Sequence, residues 1–128
     1  MKKKMMLVLS TLGLSVLSHA AFAADPLKAV SVGGRDIFAD QNGMTVYIFD
    51  KDSNGSSYCY GGCEKAWPPV LLTTAEEVSA PFGSTTRKDG SRQLTYGNRP
   101  IYLYADDERS GDINGDGLGG VWHVVVAK

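Results

Sequence analysis

Cys59 and Cys63 are the only thiols in the chain, and three residues, Tyr60-Gly61-Gly62, lie between them. Three chemistries suit such a pair: a structural disulfide, thiol–disulfide exchange, or a metal thiolate. The spacing is not the Cys-x-x-Cys of thioredoxin-like motifs, and no βαβ pattern surrounds it. An even cysteine count in an oxidising compartment favours the disulfide. Closing so short a loop adds about 2 kcal/mol in the loop-entropy model. His123, the one histidine outside residues 1–23, is a further soft-metal candidate, and with the two cysteines or Met44 it would suit copper. Between apolar neighbours, however, a histidine more often fills space than binds a metal.

Hard-metal chemistry has its own candidates. Asp112-Ile113-Asn114-Gly115-Asp116-Gly117 matches the first half of an EF-hand loop, as does Asp50-Lys51-Asp52-Ser53-Asn54-Gly55. Alternating oxygen ligands and a glycine bend are what calcium requires. The twelfth position, where a bidentate glutamate belongs, is His123 in one and Gly61 in the other. Asp112, Asn114 and Asp116 are therefore the calcium candidates, set against plain Asx turns. Tyr58 and Tyr60 bracket Cys59, and aromatic side chains on a stapled loop suit a binding surface. Nucleophilic hydrolysis finds no support. There is no Gly-x-Ser-x-Gly elbow, and Gly115–Gly120 lacks the Lys-Ser/Thr ending of a phosphate loop.

The elements that must position these residues come from a duplication. Tyr47, Ile48, Phe49 and Asp52 recur 55 positions later as Tyr102, Leu103, Tyr104 and Asp107. At the same offset Gly62, Trp67 and Val70 answer to Gly117, Trp122 and Val125, with both tryptophans of the chain included. One unit is used twice, with repeat one spanning about 36–72 and repeat two about 91–127. Short runs rich in β-branched and aromatic residues alternate with Gly33-Gly34, Asn42-Gly43, Asp89-Gly90 and Gly97-Asn98, all turn signals. Strands are expected at Lys28–Val32 and Asp36–Ala39, and a tight hairpin at Asn42-Gly43 leads into a central strand from Met44 to Phe49. Further strands run from Arg92 to Tyr96, Pro100 to Tyr104 and Val121 to Ala127. Thr73 or Thr74, followed three residues on by glutamate, predicts a single helical turn near 74–78. The fold class is all-β: a small, mostly antiparallel sandwich or partly closed barrel built from two repeats, with at most one short helix.

The first 23 residues read as a signal peptide. Lys2 to Lys4 form a basic start, Met5 to Leu17 an apolar stretch, and Ala21-Phe22-Ala23 a small-x-small cleavage site. The apolar run is shorter than the ~20 residues a spanning helix needs. Cleavage would leave residues 24–128 as a single domain and, with three lysines gone, take the formal charge from −1 to about −4. No basic patch points to nucleic acid. A periplasmic or secreted protein with no membrane anchor after cleavage is the expectation.

Tyr47-Ile48-Phe49-Asp50-Lys51-Asp52 and Tyr102-Leu103-Tyr104-Ala105-Asp106-Asp107 both fit Tyr-x-(Phe/Trp/Tyr)-x-x-Asp. With Cys59 to Pro69 and Arg87 to Tyr96, they resemble the bacterial secreted-repeat family, also known as predicted lipoproteins. The resemblance covers nearly the whole expected mature chain, and it implies no particular reaction. It singles out Tyr47, Phe49, Asp52, Trp67, Tyr102, Tyr104, Asp107 and Trp122 as structural positions. Many members carry a lipid-anchoring cysteine, which this chain lacks. The reading is an exported, non-enzymatic β-repeat module that binds an envelope protein or a glycan. The alternative is a periplasmic metal or redox protein using Cys59, Cys63 and His123 or the Asp112–Asp116 loop. No cofactor is called for, and among metals calcium comes ahead of copper.

Overall fold

A computed structural model describes residues 25–73 and 75–127, so the signal-peptide expectation over 1–23 lies outside the described residues. The chain opens with a hairpin of β1 (Lys28–Val32) and β2 (Arg35–Ala39), pairing Val32 with Arg35. Gly33 and Gly34 both take positive φ there, as a two-residue turn with the twist of its strands demands. A second hairpin, β5 (Phe82–Thr86) and β6 (Arg92–Tyr96), opens the second half. β7 (Arg99–Pro100) then folds back on β6 through Gly97-Asn98, again both at positive φ.

The Asn42-Gly43 turn differs from the tight hairpin expected. Gly43 alone has positive φ, and the turn closes one residue wider, with Gly43 N–H donating to Asp40 O and Asp40 N–H to Met44 O. The Asp40 carboxylate explains the shape, because its Oδ1 accepts the N–H groups of both Asn42 and Met44. Asp89-Gly90 closes in the same wider form, by Gly90 N–H to Arg87 O and Arg87 N–H to Ser91 O.

The halves interlock. β3 (Tyr47–Phe49) pairs antiparallel with β8 (Trp122–Val124), and β4 (Leu71–Leu72) pairs with β6, so the closing strand of each half joins the other half. Tyr47 and Tyr102 meet in an antiparallel bridge, exchanging N–H···O bonds of 2.8 and 2.9 Å. Backbone bonds recur at the repeat offset: Asp50 N–H to Val121 O matches Ala105 N–H to Ala66 O, both 2.8 Å. This reciprocity is the contact pattern of a pseudo-twofold relation. The architecture is mostly antiparallel strands in several small sheets, and no strand path among the described residues closes into a barrel.

β3 is central, as its two apolar faces predicted. Tyr47 and Phe49 enter an aromatic cluster with Trp67, Tyr102 and Trp122, while Val46 joins an aliphatic one of Leu72, Leu94, Ile101 and Val125. Alternation along the strand is what sends successive residues to opposite layers.

The helix lies elsewhere than expected. α1 spans Gly62–Ala66, just before Trp67, and a 3-10 turn at Leu118–Gly120 stands in the same place before Trp122. Residues 75–78 form no helix. Half of the anticipated capping box is present, Thr73 N–H donating to Glu76 Oε1 at 2.9 Å. Thr73 O accepts the Glu76 N–H, and Arg92 Nη1 donates to that carbonyl and to Glu76 O.

Candidate functional site

The candidate site is built on an aromatic centre. Trp67 and Trp122 stack face to face, with centroids 3.8 Å apart and planes within 3°. Phe49 stacks on Trp122 at 4.1 Å, and Tyr104 on Trp67 at 4.2 Å. Four rings therefore lie in one column, each half contributing one indole and one outer ring. Tyr47 and Tyr102 meet Trp67 and Trp122 edge-on. Each tyrosine then reaches across to the other repeat's aspartate: Tyr47 Oη donates to Asp107 Oδ2 at 2.6 Å, and Tyr102 Oη to Asp52 Oδ2 at 2.7 Å. The five-residue spacing from tyrosine to aspartate thus serves a bond between repeats, not within one.

Burial, reinforced by the facing carboxylates, pushes both phenols far above their ordinary range. Asp52 is raised too, because desolvation outweighs the bonds from Tyr102 Oη and Tyr58 N–H. Both aspartates accept hydrogen bonds on each oxygen, Asp107 from Tyr47 Oη and Asn114 N–H, Asp52 from Tyr102 Oη and Tyr58 N–H.

The two loops that follow these aspartates are held differently. In the first, Cys59 and Cys63 form a disulfide. Ser57 donates to Tyr102 Oη at 2.6 Å, and Arg87 locks the loop to the second half. Its buried guanidinium donates to Ser57 Oγ, Gln93 Oε1, Cys59 O and Glu64 Oε1, the last at 2.6 Å. In the second loop, the Gly115 N–H faces Tyr47 Oη. A Cβ on Gly115 would stand 2.5 Å from Trp67 Cη2, so close packing against the indole column takes the place of a staple.

The loop carboxylates expected as calcium ligands have separate partners. Asp112 Oδ2 accepts the N–H groups of Glu108 and Arg109, which hold it below the usual carboxylate range. Burial pulls Asp116 upward, but the Val124 N–H and Arg35 outweigh it and its pKa falls. The Asn114 backbone is bound to Asp107. His123 projects to the surface, its Nε2 2.7 Å from Asp50 Oδ2, and that contact leads in lowering the Asp50 pKa. The two cysteine sulfurs are bonded to one another, so His123 is not joined to free thiols. Among the described residues, no group of three or more His, Cys, Asp or Glu converges.

Tyr58 and Tyr60 part company. Tyr60 is half-buried beneath two cations, the Arg87 guanidinium 4.3 Å and the Lys88 ammonium 4.5 Å from its ring centre. Tyr58 stands out, 60% exposed. Together with Ser56, Ser57, Thr86 and Lys88 they line an open groove of about 330 Å³ between the stapled loop and the β5–β6 hairpin. Sequence reasoning found the tyrosines but missed Arg87 and Glu64, whose only signal was a charge pair far apart in sequence.

A family model described as a secreted repeat of unknown function matches residues 36–71 and 83–126, more than half of the chain. No curated protein and no solved structure matches significantly. No described helix is long and apolar enough to cross a membrane.

Proposed function

We propose that this chain, which belongs to the family described as a secreted repeat of unknown function, is a non-enzymatic binding or scaffolding module of the cell envelope. It works in the periplasm or outside the cell after a leader of residues 1–23 is removed, and its partner is an envelope protein or a glycan. One observation carries this reading: Tyr58 is 60% exposed on a loop fixed by both a disulfide and a buried arginine. A large aromatic ring costs little entropy to immobilise when its backbone is already rigid. Around it, the hydroxyls of Ser56 and Thr86 and the ammonium of Lys88 supply polar contacts.

The test is capture of envelope proteins and glycans by the purified chain, compared with Tyr58→Ala. A true partner should lose about tenfold or more in affinity when this ring is removed. Equal retention by both proteins would place the binding surface elsewhere and defeat the proposal. Fractionation of the producing cells reports the compartment separately.

A further inference from the structure

β5 lies at the margin of its sheet, with β6 its one neighbour among the described residues. At the two ends of this pair, Arg87 N–H donates to Ser91 O and Gly97 N–H to Pro81 O. Bonded pairs alternate along antiparallel strands, so Gly83 and Thr85 share that phase and turn their main-chain groups to β6. Phe82, Ser84 and Thr86 turn theirs outward. Ser79 O accepts the Phe82 N–H. Ser84 and Thr86 are exposed, and no described strand runs along their side. Native edges are usually blunted by charge, by a bulge or by brevity. This edge has five residues without a charge, and its register runs unbroken from Phe82 to Thr86.

A second observation says what the edge faces. Thr86 and Lys88 line the Tyr58 groove, and Tyr60 Oη accepts the Lys88 N–H at 3.3 Å. Lys88, Thr86 and Ser84 stand in one phase. A side chain of the stapled loop therefore already takes the first outward donor and ends the edge there. The next N–H and C=O groups, at Thr86 and Ser84, recur every second residue. Another extended main chain matches that spacing, whereas the hydroxyls of a glycan follow no such period. Lys88 gives the groove its positive charge, with the ammonium 4.5 Å from the Tyr60 ring centre, and none of the ion pairs among the described residues uses it.

We infer that the partner is a polypeptide, bound as a strand added to the outer edge of β5, with a carboxylate beside Lys88. This rests on the Tyr58 groove as the binding surface and narrows its occupant from protein or glycan to protein.

Random octapeptides, made with free and with amidated C termini, are the probe for the purified chain. Binders should carry a carboxylate near one end, and the amidated set tells whether a side chain or the terminus supplies it. N-Methylation of a binder at successive positions should weaken it about fivefold at every second residue, the usual worth of one net hydrogen bond. Amide exchange should slow on binding at Ser84 and Thr86. Thr86→Pro removes an N–H that β6 does not use, so the fold should persist and the peptides should be lost. Should that variant fail to fold, the N-methyl series and the exchange rates decide. Lys88→Gln should erase the preference for a carboxylate. No binder in either set, N-methyl effects without a two-residue period, or slowed exchange on β1 in place of β5 would each overturn strand addition. A ligand lost in Tyr58→Ala but indifferent to Thr86→Pro, a glycan included, would overturn it too while leaving the groove reading standing. Periodic binding that survives Tyr58→Ala would defeat the Tyr58 reading and uphold the added strand.

Discussion

Two crossed tyrosine–aspartate pairs give the residue scale its clearest consequence. Both phenols have folded pKa values raised by burial, while the unfolded chain titrates near the ordinary value of about 10. Above that value the folded state therefore holds more protons than the unfolded one. The stabilisation is complete below the ordinary phenol pKa and is lost as pH climbs beyond it. An alkaline titration followed by phenolate absorbance should show Tyr47 and Tyr102 ionising only together with unfolding, so the last phenolate signal and the loss of near-UV dichroism should coincide. Early ionisation of all six tyrosines with the fold intact would contradict the buried pairs. The pattern Tyr-x-x-x-x-Asp was visible in the sequence at 47–52 and 102–107. That the partners would be exchanged was not, because a spacing within one repeat says nothing about which copy supplies the acceptor.

At the scale of elements, Arg87 does the work of a clamp, tying the linker between the repeats to the first loop through Ser57, Cys59 and Glu64 and to β6 through Gln93. Replacing it by leucine strands Gln93 and the Cys59 carbonyl in the interior. Glu64, 41% exposed at its side chain, can turn to solvent. The cost should therefore fall below that of an orphaned buried charge, at about 2–3 kcal/mol in denaturant unfolding. A loss under half a kcal/mol, by the same measurement, would mean that the disulfide and the Ser57 and Tyr58 hydrogen bonds hold the loop without Arg87. The sequence revealed the hairpins well, since Gly33-Gly34 and Gly97-Asn98 announce turns that only positive φ can close. The short helix at Gly62–Ala66 escaped notice because five residues are too few to show a period, and it starts at paired glycines. The helical turn expected near 74–78 does not form over 75–78, where the segment is tied to Arg92 on β6, a contact no local pattern contains.

At the scale of the whole molecule, strand exchange makes the halves interdependent. β8 closes against β3, and β4 against β6, so neither half contains its own last pairing. Cutting the chain near Ser79 should give two fragments that are each unfolded by circular dichroism and that recover native spectra on mixing. Independent folding of either fragment would show the interlock to be dispensable. The duplication itself could be read from the two tryptophans 55 residues apart. Parallel overlapping indoles, one from each copy and 3.8 Å apart, also have an optical consequence. Their excited states must mix, so the assembled protein absorbs and emits as a coupled chromophore whose colour and polarisation report, without any label, whether the two copies have found each other.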